Sequence, residues 1–217
     1  MTIATGSRHD MAYVVESTFG TTPSTPSFIP IRHTGTTIGL SKDSLESEEL
    51  REDRQIAHYR HGNKNVGGDI NFELSYNSFT ALIEAVMCGT WTSSGDPEIL
   101  KTGTVSRSFT IERHHEDIGK YIRATGCSFN SMSLSVSPNS MVTGSFGVLG
   151  KDLSTASAAI TGASYAAETT TAPFDSFTGA ITEGGSSIAI VTALELSIDN
   201  GMEAQYVIGD STTLQPP

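Results

Sequence analysis

Apolar and polar residues alternate along several short stretches of this chain, and the alternation predicts β-strands. In the stretch 69–75, Ile70, Phe72 and Leu74 fall on one face, while Asn71 and Glu73 fall on the other. The same period of two recurs at 107–111, 132–136, 141–149 and 188–199, with small hydroxyl residues or acids opposite the apolar ones. The pattern predicts an all-β protein whose strands each have one buried and one solvated face.

The hydrophobic period changes from 2 to 3.6 just after the first of these strands, and this predicts one short amphipathic helix. Its apolar stripe consists of Phe79, Leu82, Ile83, Val86 and Met87. We expect Asn77 or Ser78 to cap its start, Gly89 to end it, and Trp91 to fold back over it.

Two segments lack any hydrophobic period. Residues 41–68 form a strongly charged stretch; extended by Asp69, it holds seven acids, five bases and two histidines. Loops of this length inside a domain are uncommon and are usually functional or disordered, so we expect an arm that reaches for a partner. Residues 151–172 consist largely of Ala, Ser, Thr and Gly, and we expect a loop or a lightly anchored crossover there.

The composition agrees with one β-rich domain spanning 1–217, since 37% of residues are hydrophobic and 17% are charged. A net charge of −11 argues against tight binding of nucleic acid, because phosphate contacts supply most of such affinity. No run approaches the ~18 apolar residues of a membrane span, and the start of the chain has no apolar signal-peptide core. Cys88 and Cys127 are expected to be buried, reduced thiols of a protein kept in a reducing cytosol.

The sequence offers little for catalysis. It has no Gly-x-Ser-x-Gly elbow and no Walker loop, and Gly144, Gly147 and Gly150 indicate a strand that bends or is closely approached. His114 and His115 are better interpreted as part of a solvated polar turn than as metal ligands, because no further ligands follow at a suitable spacing. We therefore predict no catalytic, cofactor-binding or metal-binding residues, and no enzyme.

Six stretches, taken in order, resemble one protein family. They read YVVESTFGTTP at 13–23, LREDRQ at 50–55, GDINFELSY at 68–76, NSMSLSV at 130–136, PFDSF at 173–177 and LSIDNG at 196–201. Together they resemble the tail tube proteins of long-tailed, non-contractile bacteriophages, and the resemblance runs from about residue 12 to residue 210.

The resemblance implies two packed β-sheets with one flanking helix and long extended arms, closing as a hexameric ring around an inner β-barrel. Rings of this family stack into a tube in the virion tail, and assembly takes place in the cytoplasm of the bacterial host. The implied partners are further copies of the chain and the tail tip, tape measure and tail terminator proteins. Some members carry a C-terminal immunoglobulin-like domain, which is absent from this chain or belongs to a part of the gene product beyond Pro217.

A tube protein of this kind would pass DNA without binding it tightly, because its net charge repels phosphate. The residues expected to line the channel are Asn71, Glu73, Ser133, Ser135, Glu195 and Asp199. The charged arm is assigned to contacts between subunits or between rings, with Arg51, Asp53 and Arg54 as ion-pair partners.

A monomeric β-sandwich that binds carbohydrate or a protein ligand is the alternative. Such modules usually present exposed aromatic residues, and aromatic residues make up only 7% of this chain. The tube hypothesis is therefore favoured.

Overall fold

Thirteen β-strands and one short α-helix build the described part of the molecule in a computed structural model. The structure describes residues 8–49, 52, 58–93, 98–188 and 190–215. The strands are β1 His9–Val15, β2 Ser27–Pro30, β3 Gly35–Thr36, β4 Gly39–Glu46, β5 Tyr59–Glu73, β6 Phe109–His115, β7 Lys120–Val136, β8 Thr143–Gly150, β9 Asp152–Ala156, β10 Ser164–Tyr165, β11 Thr182–Glu183, β12 Ser186–Ser187 and β13 Leu194–Asp199. The helix, α1, comprises Thr80–Val86.

The long strand β7 connects two packed sheets. Its first half pairs with β6 and β9, in the sheet that continues through β1 and β2 to β10. Its second half pairs with β8 and β13, in the sheet that continues through β5 to β3 and β4. Gly126 lies where the strand passes from one sheet to the other, with a φ of +64° that glycine adopts readily. The expected fold, all-β with one flanking helix, is thereby confirmed.

Aromatic side chains join the two sheets through a shared core. The Tyr13 ring lies 5.7 Å from that of Phe109, and Phe109 lies 5.3 Å from Phe129. Phe129 in turn contacts Phe146 of the second sheet at 5.6 Å. Phe146 stacks on Phe72 at 4.6 Å. These rings are almost fully buried, so the hydrophobic effect fixes the second sheet with one face inward.

Helix α1 closes the apolar side of the second sheet, as its stripe predicts. Leu82, Ala85 and Val86 are buried. The predicted cap at Asn77 or Ser78 is wrong, because the N-cap residue is Phe79 and no side chain caps the helix. Asn77 instead takes a positive φ of 62° in the preceding turn.

The helix ends in a Schellman motif, in which the backbone N–H groups of Cys88 and Gly89 donate to carbonyls of the last helical turn. The Gly89 N–H donates to the Glu84 carbonyl, and the Cys88 N–H donates to the Ala85 carbonyl. Cys88, not Gly89, takes the left-handed conformation, with φ 48°. Trp91 folds back as expected, because its indole N–H donates to the Thr80 carbonyl at 3.2 Å.

Most of the described residues of the charged segment 41–68 lie in strands. β4 and the first part of β5 form an antiparallel hairpin, with register from Gly39 opposite Gly67 to Glu46 opposite Tyr59. Most of these side chains are exposed or half-buried, so the hairpin extends beyond the core. The segment 151–172 is anchored at two places, where β9 pairs with β7 and β10 pairs with β2.

The glycines of β8 are closely approached, as the sequence predicts. A Cβ on Gly144 would lie 2.6 Å from the Phe72 ring, and one on Gly147 would lie 2.3 Å from the Ser131 hydroxyl. A Cβ on Gly150 would lie 2.7 Å from Val66. Among the residues that the structure describes, no helix is long and apolar enough to cross a membrane.

Candidate functional site

One face of the second sheet is polar across four adjacent strands, β5, β8, β7 and β13. Residues that pair directly across neighbouring strands share a face, so the registers define three rows of side chains. The rows are Glu73–Thr143–Ser135–Glu195, Asn71–Ser145–Ser133–Ser197 and Asp69–Gly147–Ser131–Asp199. We call these twelve positions the polar face.

The charges on the polar face follow a simple arrangement. The four carboxylates belong to the two outer strands, with Asp69 and Glu73 on β5 and Glu195 and Asp199 on β13. The inner strands β7 and β8 contribute hydroxyls and one glycine, and none of the twelve positions carries Lys or Arg. Hydroxyls can bond to one another across the strands, as Ser133 Oγ and Ser145 Oγ do at 2.8 Å. The surface is therefore acidic, hydroxyl-rich and built from short side chains.

The opposite face of the same sheet is apolar, but its cover is incomplete. Ile70 and Phe72 are buried under the core and helix. On β13, by contrast, Leu194 and Leu196 remain 43% and 47% exposed, and Ile190 just before them is 87% exposed. Burying apolar surface is worth roughly 25 cal/mol per Å², so a partner that covered these side chains would lower the free energy.

Both lateral edges of this sheet end in strands that pair on one side only within the described residues. β13 pairs with β7, and β4 pairs with β5. An open edge presents unpaired N–H and C=O groups to any strand that approaches, which is a template for association. The polar face therefore lies between two edges that are each available to another chain.

The structure brings all six predicted lining residues onto the polar face. Asn71 and Glu73 lie on β5, Ser133 and Ser135 on β7, and Glu195 and Asp199 on β13. Sequence reasoning did not assign Asp69 to this set. Asp69 lies two residues before Asn71 on the same strand, and residues two apart on a strand share a face, so the sequence pattern could have assigned it. The predicted arm residues Arg51, Asp53 and Arg54 lie outside the described residues.

Buried charge elsewhere in the molecule holds the fold together. The Glu112 carboxylate is buried beneath Arg123, whose Nε donates to it at 2.5 Å, and it also accepts the Tyr165 hydroxyl at 2.6 Å. Burial, and then the hydrogen bond to Glu112, raise the pKa of Tyr165 well above its usual value. Burial likewise raises the pKa of the Cys127 thiol, as expected for an unreactive core cysteine.

The interpretation of His114 and His115 as a polar turn is wrong, because they are the last two residues of strand β6. His114 stacks on Tyr121 at 4.3 Å, and the turn itself follows at Glu116–Gly119. Across the described ranges, no three His, Cys, Asp or Glu side chains are grouped so as to hold a metal ion.

A sheet with one polar face, one apolar face and two open edges is typical of a structural subunit that assembles through its edges. The chain matches the model of the phage tail tube protein family over residues 6–215 and belongs to that family. Its members are structural proteins of phage tails, not enzymes.

Twenty-nine chains of solved structures match this chain. One is the PVC sheath/tube terminator of an extracellular contractile injection system in its extended state, with 10% identity and TM-score 0.46 over 72% of this chain and 98% of that one. Another is the tube-terminating cap of the anti-feeding prophage, with 8% identity and TM-score 0.46 over 73% and 93%. A comparison with curated protein sequences finds no significant match.

Proposed function

We propose that this protein forms hexameric rings that stack into the tail tube of a long-tailed, non-contractile phage, and that DNA passes through the tube into the host. The polar face carries this proposal, because it is a continuous surface four strands wide without a basic residue. In a closed ring it would face the channel. The family assignment supports the same function.

The chemistry of the polar face suits a channel that DNA slides through. Four carboxylates per subunit become twenty-four in a ring of six. Screening confines their repulsion of phosphate to about 8 Å at physiological salt, so the charge prevents adhesion without blocking entry. The short hydroxyl side chains between the acids add no cation that would hold a phosphate.

The two open edges supply the contacts that would close the ring. The β13 edge of one copy would pair with the β3–β4 edge of the next, which satisfies the backbone groups of both. The same contact would cover Leu194 and Leu196. A head-to-tail contact of this kind gives a closed ring when the rotation from each copy to the next, repeated around the ring, returns to the first copy.

The charged hairpin supplies a contact of a different kind. It extends from the sheet through the exposed ends of β4 and β5, and between them the sequence carries Arg51, Asp53 and Arg54. We assign this hairpin to the next ring or the next subunit, where ion pairs at the rim would set register. Tail tip, tape measure and tail terminator proteins complete the set of partners, with assembly in the host cytoplasm.

Negative-stain electron microscopy of the purified full chain, with light scattering for mass, tests the assembly. We expect rings or hollow tubes, and we expect Leu196→Asp to abolish them because it places a charge in the proposed contact. Val105→Asp is the control, since Val105 is similarly exposed outside β13. A wild-type chain that stays monomeric even with tail initiators present would favour the monomeric binding module instead.

A charge reversal tests the polar face. Glu73→Lys with Glu195→Lys should leave tubes intact and slow DNA release several-fold, because lysines in the channel would bind phosphate. Glu98→Lys with Glu203→Lys changes the net charge equally at exposed positions outside the polar face. Equal release from both double variants, whether slowed or unchanged, would contradict the assignment of Glu73 and Glu195 to the channel.

A further inference from the structure

Three histidines far apart in the sequence meet at the start of β1. His9 is the first residue of β1 and pairs in register with His115, the last residue of β6. His33 follows β2 and brings its ring to 4.7 Å from the His9 ring. The His9 and His115 rings are 5.5 Å apart. We call these three side chains the histidine cluster.

The hydrogen bonds of His33 fix which nitrogens carry protons. His33 Nδ1 lies 3.1 Å from the Ile31 carbonyl, which can only accept, so Nδ1 carries the proton. In neutral His33 the Nε2 atom is then an acceptor, and it lies 2.8 Å from His9 Nε2, which must donate. Protonation of both rings would turn both Nε2 atoms into donors that face each other. The contact between His9 and His33 therefore requires that at least one of the two rings is neutral.

His115 adds a second group that resists protonation. Its Nδ1 atom is buried and has no hydrogen-bond partner among the described residues. Burial first, and then the neighbouring His9 and Arg113, lower the pKa of His115. For His33, burial again lowers the pKa most, with a further contribution from His9.

The charged neighbours of the cluster come from every element packed against it. They are Asp10 on β1, Arg32 beside His33, Glu73 on β5, Arg113 and His114 on β6, Asp117 in the following turn and Glu168 in the segment 151–172. The hydrogen bond to the Ile31 carbonyl, and then Asp10 and Glu168, favour a charged His33, and Asp117 favours a charged His115, but burial outweighs them.

We propose that the histidine cluster is a proton-responsive lock, which fixes the start of β1 to β6 and to the residues after β2 at neutral pH and releases it in acid. A base whose folded pKa lies below its unfolded value binds more protons when unfolded. The stability that such a base contributes to the folded state is therefore complete above the unfolded pKa of about 6.5. This contribution is lost as the pH falls through the pKa of the folded state. The lock concerns the single chain and does not depend on ring assembly.

Urea unfolding of the full chain at pH 7.5 and pH 5.0 tests the lock. We expect acidification to raise the wild-type unfolding constant more than that of His33→Gln, because the unfolded wild-type chain binds a proton at His33 that the folded chain disfavours. The glutamine side chain cannot titrate, and its amide can still donate to the Ile31 carbonyl. His61→Gln is the matched control, since His61 is an exposed histidine of the β4–β5 hairpin and should leave the wild-type difference unchanged.

A second measurement on the wild-type chain needs no variant to fold. Nuclear magnetic resonance titration of the ring signals, assigned through the backbone, should give midpoints for His33 and His115 below the ordinary histidine value of about 6.5. Amide exchange in the first residues of β1, corrected for intrinsic rates, should accelerate over the same pH range while β8 stays protected. Ordinary midpoints for both His33 and His115, or an unchanged acid sensitivity in His33→Gln, would overturn the lock.

Discussion

Replacement of Glu16 by glutamine is expected to destabilise the molecule at the corner where its two sheets meet. The Glu16 side chain is only 7% exposed and accepts three hydrogen bonds. They come from the Gly20 N–H at 2.7 Å, the Thr110 hydroxyl at 2.8 Å and the Gly126 N–H at 2.9 Å. Gly126 is the point at which β7 passes between sheets, so this carboxylate holds the crossing in place.

The magnitude follows from which oxygen accepts which bond. Oε1 accepts from Thr110 and Gly126, and Oε2 accepts from Gly20. A glutamine side chain can place its carbonyl oxygen where Oε1 was. Its NH2 group then replaces Oε2 and faces the Gly20 N–H, so two donors meet. One hydrogen bond to a charged group is lost, which costs about 1.5–3 kcal/mol. Glu16→Ala loses all three bonds and should cost more, on the order of 4 kcal/mol.

Urea unfolding followed by the fluorescence of Trp91 measures both variants, with Glu203→Gln as an exposed control expected within about 0.5 kcal/mol of wild type. The slope of free energy against urea should stay constant, since the exposed area on unfolding is unchanged. A loss below about 0.5 kcal/mol for Glu16→Gln would show that the carboxylate bonds are not required at this corner.

Two further perturbations address the arm and the crossing. Deletion of 44–62 should leave a folded monomer that no longer forms tubes, as seen by electron microscopy and circular dichroism; tubes of normal length from this variant would refute the role of the arm. Gly126→Ala should cost more in urea unfolding than Gly119→Ala, since both have positive φ but only Gly126 has a neighbour, Lys151 Cβ at 2.6 Å from an added Cβ. Equal losses would show that backbone strain alone sets the cost.

The strands of the second sheet could be predicted because their two faces differ in polarity. The alternation at 69–75, 132–136 and 188–199 also predicts which side chains share a face, and so it groups the six lining candidates on the polar sides of their strands. The charged hairpin has no such alternation. Residues 41–46 of β4 and 59–61 of β5 are exposed on both faces, and backbone pairing rather than burial defines this part of the hairpin.

The histidine cluster and the strand crossing could not be predicted from local patterns. His9, His33 and His115 meet only because β1 pairs with β6 and the chain after β2 lies against β1. The crossing depends on one residue, Gly126, whose φ and buried N–H partner are set by tertiary contacts. Pairing between strands that are far apart in the sequence determines both features, and the spacing of residues along the chain does not reveal this pairing.

The position of the acids on the polar face agrees with the proposed ring contact. Two of the four lie on the edge strand β13 and two on β5, which is next to the edge formed by β3 and β4, so in a ring they would stand towards the boundaries between copies. Like charges close together are destabilising, so the polar face itself cannot hold neighbouring copies together. The attraction must come from the paired strand edges and from Leu194 and Leu196 on the opposite face. In the proposed ring the sheet would thus separate two tasks by face, with repulsion of DNA on one side and cohesion between copies on the other.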